Sequence, residues 1–114
     1  MFFIVFPLLC AGEVLVIYAE VSGARLYAQE SLGLGPAFLH ALPALVIGSL
    51  CLVFGYMLGM KYLHNIWSVT AISFGTILIS EPLFDYFYIG QVPNTGAAIG
   101  IVLGGIGILS VLFL

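Results

Sequence analysis

The chain has 114 residues, of which 63% are hydrophobic and 6% charged, and its formal net charge is −3. Soluble domains carry roughly 25% charged residues, so this composition cannot cover a water-facing surface and points to an integral membrane protein. With two Lys and Arg residues in all, nucleic-acid binding by counterion release is excluded.

Four apolar runs follow one another, at about 2–26, 37–59, 66–87 and 96–114. Each approaches or exceeds the roughly 20 residues a helix needs to cross the hydrocarbon core, whereas a barrel would show shorter segments of alternating polarity. The fold class expected is therefore all-α: one four-helix transmembrane domain over residues 1–114, with short loops and no extramembrane domain or linker. The first run has no positive n-region before it and no small-residue cleavage pattern after it, and so reads as a retained helix.

That first run carries two carboxylates, Glu13 and Glu20. Seven residues are nearly two helical turns, so both acids project from almost one face, roughly 10 Å apart along the axis. An ionisable side chain inside a membrane helix is a functional-site hypothesis by default. Ser22, Gly23 and Ala24 surround Glu20 with small groups that let a helix or a solute come near. A carboxyl poised between protonated and ionised states can exchange a proton for a cation, which is the physical core of coupled antiport; the plainer alternative is an acid that only ties helices together. Glu13 reads as a second acid of one relay, or as a group near the opposite membrane surface. Tyr18 is placed to line a cavity or to pack, and Cys10 and Cys51 read as small apolar side chains.

After a loop at 27–36, the second run leads to a turn at 60–65 with Lys61, His64 and Asn65. The third run places Thr70, Ser73 and Thr76 three residues apart, with Ser80 a turn further; such hydroxyls either bond their own backbone or coordinate a solute. Glu81 precedes Pro82, which lacks the amide proton to bond one turn back and predicts a kink. Phe84, Tyr86, Phe87 and Tyr88 around Asp85 resemble an interfacial aromatic belt, leaving Glu81 as the deeper acid. The fourth run sets Gly96, Gly100 and Gly104 at intervals of four, with Gly107 close by. Such a small-residue stripe permits close helix approach, either within the chain or along a dimer seam.

Orientation follows Lys and Arg near helix ends; Arg25 marks one side and Lys61 the other, so the bias is close to nil. Such a chain either inserts both ways, with opposed copies pairing as an antiparallel dimer, or takes its orientation from a partner or weak local cues. No nucleophile–base constellation, phosphate-cradling loop or metal-ligand spacing is present, so neither an enzyme nor a cofactor or metal is expected.

The segment Ala19-Glu20-Val21-Ser22-Gly23, followed by Leu26, resembles the first-helix motif of the small multidrug resistance family, the four-helix branch of the drug/metabolite transporter superfamily. The likeness continues through Tyr62-Leu63, Ala71-Ile72, Gly75 and Gly90-Gln91, and Gly100 and Gly107 fall where the family's fourth-helix dimer motif has glycines. The resemblance implies an antiparallel, dual-topology homodimer in the inner membrane of a bacterium or archaeon. Its two first-helix glutamates, here both copies of Glu20, would bind protons and cationic substrates in turn. Thr70 and Ser73 stand where drug exporters place aromatic residues, Ala28 replaces the usual basic residue, and Glu13, Glu81 and Asp85 are additional acids.

The leading expectation is thus a proton-coupled exporter of a small cationic or polar amine-bearing compound. Glu20 would be the shared site, with Glu13, Tyr18, Thr70, Ser73 and Glu81 along the pathway and Gly96, Gly100, Gly104 and Gly107 in the dimer contact. Two alternatives stand beside it: a subunit, paired with a paralogue, of a flippase for lipid-linked aminosugars or polyprenyl lipids, and a structural or assembly subunit that transports nothing.

Overall fold

Long apolar runs in a bilayer must satisfy every backbone amide internally, which leaves helix as their stable form. A computed structural model, describing residues 2–114, has four α-helices: α1 (Phe2–Ala28), α2 (Leu34–Leu63), α3 (Ile66–Phe84) and α4 (Thr95–Phe113). A π-helical turn, Asp85–Ile89, extends α3. No strand occurs among the described residues. The four helical segments, Phe3–Ala28, Leu34–Leu63, Ile66–Ile89 and Thr95–Phe113, are each long and apolar enough to span a membrane.

Helix α2 starts three residues before its expected position and ends four after it. Pro36 is tolerated in the first turn, where its missing N–H has no intrahelical acceptor anyway. Lys61 lies in the last turn, where a cation complements the carbonyl end of the helix. The reversal into α3 then needs only two residues. His64 takes a left-handed conformation at φ 58°, and Asn65 caps α3, its Oδ1 accepting from Trp67 N at 3.0 Å and Ser68 N at 3.4 Å. Past Pro82 the chain stays helical and widens into the π turn one residue after Phe84, closing on Gly90 at φ 82°.

The tightest packing joins α1 to α2 through small residues. Ala37, Ala41, Gly48, Gly55 and Gly59 form the buried ridge of α2. A methyl group on Gly48 would stand 2.9 Å from the Gly12 carbonyl oxygen, so only glycine admits the approach there, and one on Gly55 would stand 2.7 Å from Leu9 Cδ2 and displace that side chain. The small-residue contact expected from sequence lies on α4, whereas this ridge, whose members recur at steps of four and seven, belongs to α2. Val5, Leu9 and Val69, all fully buried, make the core where α1, α2 and α3 meet. Among the described residues helix α4 touches only α3, with Gly104 3.2 Å from Leu78 Cδ1 for an added methyl and Gly75 3.8 Å from Ile108 Cγ2. No described residue of α4 is buried. The molecule is consequently thin, with Cα extents of 45 × 33 × 17 Å.

Candidate functional site

Glu20 and Glu13 share one face of α1, but that face meets different surroundings at the two levels. At Glu13 the helices are closed: its exposure is 8%, and Ser73 on α3, 2% exposed, stands beside its carboxyl. At Glu20 the same face is exposed and opens into a cleft of about 320 Å³ between α1 and α2. The walls of this cleft are small or apolar, with Gly23, Ala37 and Ala41 at its base and Tyr27, Phe38 and Leu45 around it. Gly23 and Ala41 keep the two helices in near contact there, an added methyl on Gly23 meeting Ala41 Cβ at 3.6 Å.

The acids form a string. Glu20 lies within Coulombic reach of Glu13 on one side and Glu81 on the other, and Glu81 within reach of Asp85. No basic group neutralises them through an ion pair among the described residues. Arg25 pairs with Glu30, at 3.8 Å, and lies 5.9 Å from the centroid of the Tyr88 ring. Lys61 sits over Tyr62 at the far end of α2. Four carboxyl groups along two membrane helices without a cation of their own favour a site that takes up positive charge, as protons or as a solute.

The other expected lining groups lie elsewhere. Tyr18 points away from the cleft into an aromatic cluster, its ring 6.2 Å from Phe84 and 5.9 Å from Tyr88, which stack on each other at 5.4 Å. Two positions separate Tyr18 from Glu20, or roughly 200° around the helix, and this turns the tyrosine to the opposite side. Thr70 borders a groove between α3 and α4 with Trp67, Phe74, Gly104 and Gly107. Thr76 donates to its own Ile72 carbonyl at 2.9 Å, which leaves its oxygen to accept from the Cys10 thiol at 3.3 Å. The expected hydroxyl stripe is therefore divided among several sides of α3.

Sequence reasoning missed Tyr27 and Phe38, the large rings of the cleft. The available signal was the heptad Glu13, Glu20, Tyr27, a single stripe along α1. Among the glycines of α4, Gly96, Gly100 and Gly107 meet no other helix within 4 Å of an added methyl, while Gly104 packs on Leu78. At the membrane-surface end, Gln29 Nε2 donates to the Ile89 carbonyl at 3.1 Å and ties the first loop to the π turn. No cluster of side chains suited to a metal ion is present among the described residues. Comparison with family models, with curated proteins and with solved structures gives no significant match to this chain.

Proposed function

We propose that this protein is a proton-coupled exporter of small cationic or amine-bearing compounds, working as an antiparallel homodimer in which the two copies of Glu20 share one site. One observation carries the reading. Glu20 is a carboxyl inside a span, exposed in an apolar cleft, and no ion pair of the described residues engages it. An acid in such surroundings binds either a proton or an organic cation, and competition between the two couples their movements. The resemblance of Ala19-Glu20-Val21-Ser22-Gly23 to the small multidrug resistance motif supports the same assignment.

The position of the hydroxyls changes the substrate preference drawn from the sequence. Thr70 and Ser73, expected along the pathway of a cationic or polar solute, do not line the cleft, whose walls are apolar. A cation with an apolar body suits them better. That observation also favours a second reading, in which an amine on a lipid anchor enters between α1 and α2 with its chain left in the bilayer. Counterflow in liposomes separates these readings. Guanidinium, tetraphenylphosphonium and a lipid-linked amine are offered to the wild type and to E20Q. Uptake of either soluble cation by the wild type, abolished in E20Q, is the expected result. Movement of the lipid-linked amine alone selects the second reading, and no movement of any of the three leaves a structural subunit.

A further inference from the structure

The cleft that exposes Glu20 does not include Glu13. Glu13 lies next to Gly12, which is pressed against Gly48 and Leu52 of α2, and one turn from the fully buried Leu9. Across from it, the Ser73 hydroxyl is within interaction range of the Glu13 carboxyl. Yet Ser73 Oγ is inaccessible to solvent and closes no hydrogen bond of its own. An apolar interior thus holds, beside a carboxyl that is 8% exposed, a fully enclosed hydroxyl whose nearest polar neighbour is that carboxyl.

A carboxylate so placed requires a counterion or a proton. Its own helix offers Glu20, a like charge, and α3 offers only the Ser73 hydroxyl. From α2 no ionic group reaches it: His40 and Lys61 are exposed towards the two ends of that helix. Arg25 is engaged by Glu30 and Tyr88. A hard metal cation would want about six oxygens. Here Glu13 and Ser73 supply the free ones, because the Thr76 hydroxyl is committed to Ile72 and Cys10. A proton needs one oxygen and converts the carboxyl into a donor for Ser73.

We infer that Glu13 and Ser73 form an occluded proton-binding site between α1 and α3, filled and emptied through the cleft at Glu20. The proton comes from water at the cleft, adds to a carboxylate oxygen of Glu13, and returns by the same path. Since about 10 Å of helix axis separates the two carboxyls, transient water carries it between them. Only the route rests on the functional reading of Glu20; occupancy is measured with no transported compound present.

The test is infrared spectroscopy of the full chain in lipid nanodiscs at neutral pH, read at the carbonyl stretch of protonated carboxylic acids and followed after transfer to heavy water. The wild type shows a band that E13Q removes and E20Q retains. In E20Q its deuterium shift is slowed roughly tenfold, because the exchange path is impaired. S73A keeps the band at an altered frequency, having lost the hydroxyl partner. Thermal unfolding of E13Q matches the wild type in sodium and in choline chloride, since glutamine is isosteric with a protonated glutamate. Should E13Q fail to fold, E13D replaces it, and a frequency shift rather than loss of the band identifies the group. Absence of the band at neutral pH, its survival unchanged in both Glu13 variants, or a sodium-dependent stability abolished by E13Q overturns the site. Equal deuteration in E20Q and wild type overturns the route. Lost counterflow alone bears on the transport reading and leaves the band untouched.

Discussion

Gly48 and Gly100 show how little a residue type says without its surroundings. An added methyl on Gly48 lies 2.9 Å from both the Gly12 carbonyl oxygen and Leu15 Cβ, whereas one on Gly100 meets nothing within 4 Å. Gly48→Ala is therefore expected to destabilise the protomer by about 1–3 kcal/mol, the usual cost of overpacking. Gly100→Ala should leave it unchanged or stabilise it by up to about 1 kcal/mol, because alanine is the better helix former. Reversible unfolding of both variants in detergent checks the pair, and equal losses would contradict the packing described. The sequence revealed that helices could approach closely at α4, where its glycines are evenly spaced. It did not reveal that α1 and α2 make the tighter contact, because a small residue marks an approachable surface without naming the helix that approaches. The same gap affected the acids. Their shared face followed from helical periodicity, but the closure over Glu13 and the exposure of Glu20 depend on neighbouring helices.

Among the elements, the reversal from α2 to α3 is the most economical and the most directly testable. Asn65 supplies the cap of α3 through its side-chain oxygen, so Asn65→Ala should cost about 1 kcal/mol. His64 holds a left-handed conformation with φ 58°, which strains any residue with a β-carbon, so His64→Gly should recover roughly 1 kcal/mol. Denaturation midpoints of the two variants should move in opposite directions; a shared direction would refute the turn geometry. The existence of four helices was legible because apolar runs of this length have few alternatives in a membrane. Their ends were less legible. Pro36 reads as a breaker in sequence but occupies a first turn, and Pro82 does not stop α3, whose irregularity follows at Asp85–Ile89. Of the two places open to Tyr18, lining a cavity or packing, it takes the second, because α3 and the π turn run alongside α1 and bring Phe84 and Tyr88 to its ring.

At the scale of the whole molecule, a slab 17 Å thick leaves α4 at one edge with no buried residue and leaves the Glu20 cleft open. In the proposed homodimer a second copy would cover both. If α4 is the seam, Gly100→Leu and Gly107→Leu should lower the dimer fraction seen by cross-linking in membranes while the protomer unfolds as the wild type does. An unchanged dimer fraction would move the seam elsewhere. The functional account depends on the acid at the cleft more than on the seam. Its most direct measurement is proton release by purified protein in weakly buffered detergent, on addition of saturating tetraphenylphosphonium. Release by the wild type and none by E20Q is the predicted result; equal release by both would contradict the assignment of Glu20 as the group that exchanges a proton for a passenger.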